Sequence, residues 1–335
     1  MSSNNSTNSR ACSPAGFLEE PSSVSTISIS NVPEMPMKEY GFGMEKAGAP
    51  ALAAHTIVVT MDCEKFESEP RVLTEYGLNT FSRKDMALVL KTPGIYGEEM
   101  LRNIYYYHIR LCEHAHYINR RFCRGNPEKN RFGSTRFATK IQAKDFLTSC
   151  LSWPIEQNKK DGAKCPVIFL GHAVKNELQT LQHELGINPT VTDNVVAIID
   201  TQKIAKEQGV HIRGEWISLA DLMQNIDAEF RDGHTAGNDA AYTIIGALQM
   251  VMDGFQTCTH RTLQRVVDDV VSYSKEVVPE EVGVAKYCTR CASNSHNQPQ
   301  CRGSIKKCDR CLTAGKIPAS NTHITKLCSH GAPRW

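Results

Sequence analysis

Four carboxylates and one histidine stand where acid and metal chemistry can be done. In MDCEKFE, Asp62 and Glu64 are two residues apart at the end of an apolar run. On a strand, residues i and i+2 project to the same face, so the two acids converge on one spot. Their repulsion is tolerated chiefly when a cation sits between them. In GHAVKNELQTL, Glu177 falls just inside a helical segment, and in GHTAGNDAAYT, His234 precedes Asp239 near a second helix start. Taken singly, each piece is more often a solvated turn than a ligand set, so the weight lies in their order along the chain. Carboxylate oxygens suit hard divalent cations, and incomplete protein coordination leaves room for phosphate. An imidazole that titrates near neutrality suits a general base.

A second kind of chemistry is written in the cysteines. Six of thirteen lie between Cys288 and Cys328. Cys288, Cys291, His296 and Cys301 have the C-x2-C-x4-H-x4-C spacing of a zinc knuckle, with Ala292 where knuckles usually carry Gly. Cys308, Cys311, His323 and Cys328 follow as C-x2-C-x11-H-x4-C, with His330 as an alternative to His323. Such spacings bring three thiolates and one imidazole within tetrahedral reach of one Zn²⁺. The seven scattered cysteines read as small apolar residues. The N-terminus lacks the basic-then-apolar pattern of a secretory signal, which together with unpaired thiols implies a reducing, cytoplasmic or nuclear compartment.

Charge is separated along the chain although the net is only +2. Residues 102–144 hold ten Lys or Arg and two acids, and residues 283–335 hold nine and one, which leaves 19 basic and 33 acidic residues elsewhere. Two basic blocks on an acidic body point to a polyanionic partner, nucleic acid before all others. Arg120, Arg121, Arg124, Arg131 and Arg136 in the first block, and Lys306 and Lys307 in the second, are the candidate strand contacts, against the plain alternative of a solvated charged face. A membrane span is not expected, since no run approaches the ~20 apolar residues needed.

The elements that must position these groups read as α/β. HTIVVTMDCE is a buried strand, and RVLTEYGLNTF alternates well enough to pair with it as a hairpin. GEEMLRNIYYYHIRLCEHAHYINRRF, from Glu98 to about Arg124, predicts a helix, with Tyr105, Tyr106 and Tyr107 better placed for core packing than for base stacking. PVIFLGH and NVVAIIDTQ are further buried strands, with a helix carrying Leu178, Leu181 and Leu185 between them. GNDAAYTIIGALQMVMD is a long apolar helix with Met250 and Met252 in the core. Asp200, at a strand end, is placed either to assist the site or to cap the helix from about Gln202, and His172 to satisfy a backbone carbonyl beside the site. Residues 1–50 read as a disordered tail, 51–256 as the main domain, 257–285 as a connecting helix and linker, and 286–330 as a tandem zinc module.

An Asp-x-Glu strand, then Gly-His with an acid six residues after the Gly, then His-x4-Asp opening a helix resembles the three motifs of the DEDDh family of 3′-to-5′ exonucleases. HIRLCEHAHYINRRF, RFGST, the IIDTQ strand end and GHTAGNDAAYT are similar, more narrowly, to a fungal exonuclease-like family that supports a DEAD-box helicase in mRNA export. The resemblance covers roughly residues 55–255. It implies an RNase H-like fold with a mixed sheet and flanking helices, and two Mg²⁺ or Mn²⁺ held by Asp62, Glu64, Glu177 and Asp239. It further implies His234 as general base, Gly233 and Gly237 as freedom for its loop, and an RNA helicase or mRNA-export factor as partner. Single-stranded nucleic acid, RNA ahead of DNA, is the expected substrate. One departure is Glu177, where the family has Asp, so the alternative is a catalytically weak or inactive RNA-binding scaffold.

The cysteine spacings predict about two Zn²⁺ per chain. Metal analysis of the purified protein checks this; one zinc would remove the second site, and none would remove both.

Overall fold

The computed structural model describes residues 41–44, 47–156, 162–210, 216–252, 261–276, 282–303, 307–328 and 330. β1 (Ile57–Lys65), β2 (Leu73–Ser82) and β3 (Tyr105–Leu111) form an antiparallel meander. β4 (Ser134–Ala138) lies parallel to β3, β5 (Val167–Gly171) parallel to β1, and β6 (Val195–Asp200) parallel to β5. The six strands make one mixed sheet in the order β4-β3-β2-β1-β5-β6. The helices are α1 (Arg83–Val89), α2 (Glu98–Arg102), α3 (Lys140–Leu151), α4 (Lys175–Leu185), α5 (Thr201–Glu207), α6 (Leu219–Asn225), α7 (Ala236–Met252) and α8 (Leu263–Glu276). This is the mixed α/β layering expected of an RNase H-like chain.

Strand alternation divides the core in two. Val58, Phe81, Tyr106, Ile168 and Ile199 face α7 and α8, while Val59, Met61, Leu78, Ile109 and Phe169 face α3 and α4. The α7 residues are buried along the whole helix, Met250 and Met252 included. A helix apolar all round belongs in a core, and α7 is the one on which the site side of the sheet is built.

Two expectations are corrected. The helix from Glu98 stops at Arg102, and the tyrosine run is β3: Tyr106 packs against Phe132 on one face and Tyr107 against Phe146 on the other. Aromatic and β-branched residues suit a pleated surface, and their alternation across two cores was misread as a helical stripe. The tail, for which residues 1–40 lie outside the described residues, is not loose throughout, because Phe42 is buried and stacked on Phe81 at 5.2 Å. The segment read as a connecting helix and linker does carry a helix, α8, and its Leu263, Val266, Val267 and Val270 dock it on the α7 core.

Parallel neighbours need a crossover between them. Between β3 and β4 it is formed by residues 112–133, which carry half of the first basic block. This crossover is tied to the first turn of α7: Thr235 Oγ1 donates to Asn126 O (3.2 Å), Arg131 N to Asn238 Oδ1 (2.7 Å) and Asn238 Nδ2 to Lys129 O (3.1 Å). The cysteine-rich segment docks on the outermost strand. Phe137 and Val284 exchange backbone hydrogen bonds of 2.8 Å, and Cys112, Ala115, Phe137, Tyr287 and Leu327 close a small core.

At Gly77 the sheet and α7 come closest, since a Cβ there would lie 1.9 Å from Ala236 O. Gly77→Ala must push α7 off β2, and overpacking of this kind costs about 1 to 3 kcal/mol. Denaturant unfolding of the variant should show that loss, and an unchanged midpoint would show that the helix is free to shift.

Candidate active site

Asp62 and Glu64 end β1 on the α7 face, as their spacing requires. Across the hairpin they oppose Gly77 and Glu75. Gly77 lets the N-terminus of α7 sit directly over β2, which brings Asp239 to the same place. Glu177 arrives from the first turn of α4. The turn before α4 is fixed by Asp200, whose carboxylate accepts from Ala173 N and Val174 N (both 3.1 Å) and caps α5 through Gln202 N (2.9 Å). His172 is also structural, with Nδ1 at 2.8 Å from Thr201 Oγ1 and Nε2 at 3.1 Å from Ile217 O.

Glu64, His234 and Asp239 each offer a donor atom within 4.8 Å of the others. His234 Nδ1 stands 3.7 Å from Glu64 Oε1, and Asp239 Oδ2 accepts from the His234 backbone N–H at 2.9 Å. His234 sits in the left-handed region, φ 56°. Gly233 and Gly237, expected to give the loop freedom, instead permit close contact. A Cβ on Gly237 would meet Asn130 Oδ1 at 2.3 Å, and one on Gly233 would meet the Phe230 ring at the same distance.

The electrostatics report mutual repulsion in a dry place. Burial raises the Asp62 carboxyl well above its ordinary value, and Glu177, Asp239 and Glu64 push it further. Burial lifts Asp239 to about 8, with Glu64 adding to it against the His234 N–H. Burial likewise lifts Glu177 to about 8, opposed by hydrogen bonds from the Cys63 thiol and backbone N–H. Glu64 is raised by burial and eased by His234, whose own pKa is raised chiefly by the facing Glu64 carboxylate.

Three of these acids keep an oxygen for something else. Asp62 Oδ2, Glu177 Oε2 and Asp239 Oδ1 are buried and find no hydrogen-bond donor among the described residues. Buried polar atoms are nearly always satisfied. Unpartnered carboxylate oxygens, on acids held protonated by burial first and by each other second, fit hard divalent cations, and a cation would replace the protons. The longer side chain of Glu177 does not leave the cluster: one end is drawn to Cys63 and Oε2 is left over.

Sequence reasoning missed the residues beneath this cluster. Glu75 on β2 is buried, with Oε2 3.2 Å from His108 Nε2 and 3.9 Å from Arg110 Nε, both on β3. Its Oε1 accepts the Ala236 N–H at 3.0 Å and so holds the start of α7. Burial works to raise the Glu75 pKa, but His108, Arg110 and that N–H outweigh it and keep the carboxyl below its usual value. The one charged residue of β2, on the same face as Gly77, was the available signal.

At the C-terminus the two quartets assemble as spaced. Cys288, Cys291, His296 and Cys301 form one group, and Cys308, Cys311, His323 and Cys328 another, each compact enough to hold one metal ion. His323 rather than His330 completes the second; His330 Nδ1 lies instead 3.2 Å from Lys316 Nζ. Ala292 adopts φ 58°, the conformation that a glycine at that place would take without strain. The candidate strand contacts divide. Arg120, Arg121, Arg124 and Lys307 are exposed. Arg131 is largely turned inward against Asp268, and Arg136 donates to Val282 O and Gly283 O, so both serve internal contacts; Lys306 lies outside the described residues.

A mixed sheet whose β1 end and two following helix starts deliver acids to one buried spot defines an RNase H-like fold with a carboxylate site. The chain belongs to the DEDDh family: residues 57–250 match the family described as DNA polymerase III subunit epsilon-like, C-terminal domain. DEDDh nucleases use divalent metals. An uncharacterized nucleolar protein of Schizosaccharomyces pombe (strain 972) is 27% identical over 190 residues, which are 55% of this chain and 65% of that relative. The match thus spans less than two thirds of the relative's length. The crystallographic nuclease domain of 3'hExo, a DEDDh family member bound to rAMP, is 11% identical with a TM-score of 0.37, covering 64% of this chain and 100% of that one.

Raised carboxyl pKa values make stability depend on pH in a stated direction. Unfolded carboxyls titrate near 4, whereas Asp239 and Glu177 titrate at about 8 in the fold. Between those values the folded chain binds more protons than the unfolded chain, so stability falls as pH rises through the window. Thermal melts without added divalent ion should show Tm declining from acid to mildly alkaline pH, added Mg²⁺ should restore it at the alkaline end, and Asp239→Asn should blunt both effects. A flat profile indifferent to Mg²⁺ would contradict the cluster.

Proposed function

We propose that the chain is a metal-dependent 3′-to-5′ exonuclease that acts on single-stranded nucleic acid, RNA ahead of DNA. The observation that carries this reading is the convergence of Asp62, Glu64, Glu177 and Asp239, with oxygens left unpartnered beside His234. Membership of the DEDDh family supports it. Two Mg²⁺ or Mn²⁺ held there would lower the pKa of a bound water and stabilise the leaving oxygen of an in-line displacement. Glu64 orients His234 through Nδ1, and the half-exposed ring presents Nε2 to take a proton from the attacking water. Glu75 keeps the α7 start, and so Asp239, at the working distance.

The two C-terminal quartets are proposed zinc sites of a strand-binding module, with Lys307 and the neighbouring basic residues on phosphate. A nuclear place of action is supported by the nucleolar designation of the yeast relative. An RNA helicase or mRNA-export factor is the proposed partner on the motif resemblance alone.

Incubation of a 5′-labelled single-stranded RNA with Mn²⁺ should give a ladder of shortened products that Asp62→Ala abolishes. No ladder, or the same ladder from Asp62→Ala, would defeat the nuclease reading and leave the inactive RNA-binding scaffold in its place.

A further inference from the structure

The crossover carries a large aromatic that the fold does not use. Phe122 is 81% exposed and is flanked by the exposed Arg120, Arg121 and Arg124. It does not hang on a slack loop. The Glu67 carboxylate accepts four successive backbone N–H groups, from Arg120 (3.0 Å), Arg121 (2.9 Å), Phe122 (2.8 Å) and Cys123 (3.4 Å). Glu67 is itself held, because Asn119 Oδ1 accepts its N–H at 2.8 Å while Asn119 Nδ2 donates to Lys65 O at 2.7 Å. Lys65 ends the strand that bears Asp62 and Glu64. The far end of the loop is equally fixed: a Cβ on Gly125 would lie 2.1 Å from His234 O. An open cleft of ≈ 440 Å³ runs beside it, lined by Ile118, Asn119, Arg120, Arg124, Gly125 and Asn126.

These facts restrict what the loop can recognise. Four consecutive N–H groups curled around one point would be an anion site, but Glu67 fills it, so the backbone cannot take a phosphate there. Positive charge is left to the arginine side chains, and the ring between them offers an apolar face. A base is the part of a polyanion that has a flat face to match. In a duplex the base faces are already covered, whereas a single strand presents them. Because the loop is held in place beforehand, little ordering is left to be done on binding.

We propose that Phe122 stacks on a base of single-stranded nucleic acid next to the carboxylate site, with Arg120, Arg121 and Arg124 on the adjoining phosphates. This rests on the strand-directed reading above and adds to it the element that grips the strand beside His234. Stacking tolerates either sugar, so single-stranded RNA and DNA both engage the ring.

The test is binding by the full chain in an Asp62→Asn background, in which the strand is not consumed. Fluorescence anisotropy would follow fluorescein-labelled single-stranded RNA, single-stranded DNA and a duplex. Phe122→Ala should weaken both single strands about 10-fold or more and leave the salt slope unchanged, while Phe122→Trp retains affinity. Arg121→Ala should instead lower the slope of log K on log salt by about 0.7, the signature of one lost phosphate contact on a single strand. Unchanged affinity in Phe122→Ala, an equal loss on duplex, or no retention by Phe122→Trp would overturn the proposal. Binding is read apart from hydrolysis, so a chain that grips the strand through Phe122 but never cuts would defeat the nuclease reading and leave the stack standing.

Discussion

Five acids share one buried patch, and their repulsion governs how the rest of the chain is built. At low dielectric such charges interact far more strongly than in water and are costly to desolvate. The fold solves this differently for two subsets. Glu75 is neutralised from within, by His108, Arg110 and the first N–H of α7. Among the described residues Asp62, Glu64, Glu177 and Asp239 have no buried cation of that kind, only the half-exposed His234 beside Glu64, and three of them leave an oxygen bare. One compensated acid secures the helix; the remainder are left for charge from outside. Arg110 also pairs with Glu128 and donates to Ala115 O, so the same guanidinium that steadies Glu75 anchors the basic crossover.

Much of the carboxylate site was legible because spacing on regular elements translates directly into geometry. Asp62 and Glu64 share a face by strand periodicity, and Asp239 lies one turn into a helix whose apolar length left no other reading. Asp200 as a cap and His172 on a carbonyl followed from the same local rules. Glu75 was hidden because a single acid in an alternating strand looks like the solvent side. Only the approach of α7, permitted at Gly77, makes that side an interior. The tyrosine run failed for a related reason: Tyr106 packs on one covered face of β3 and Tyr107 on the other, so apolar residues run on without a period to read.

The basic residues show where composition stops being informative. Ten positive charges in one stretch gave the same weight to Arg131 and Arg136 as to Arg120 and Arg121. The crossover separates them, turning the first pair inward to Asp268 and to backbone carbonyls and leaving the second pair outside. The glycines beside His234 make a similar point, since they serve packing density against Phe230 and Asn130 and not motion.

The seam between Phe137 and Val284 has a meaning beyond holding the cysteine-rich segment in place. A strand at the margin of a sheet offers a row of bare donors and acceptors to any passing chain, and proteins blunt such margins to stay unaggregated. Here the cover for β4 is supplied by Val284 of the same polypeptide, and the His116 ring, tilted 30° against His323 at 4.2 Å, helps to keep the cysteine-rich segment there. With the two quartets holding zinc as proposed, metal supply would bear on solubility as well as on folding of the small module. A chain starved of zinc would lose its guard on β4 and become self-adhesive while the carboxylate site, on the opposite side of β3, was still intact.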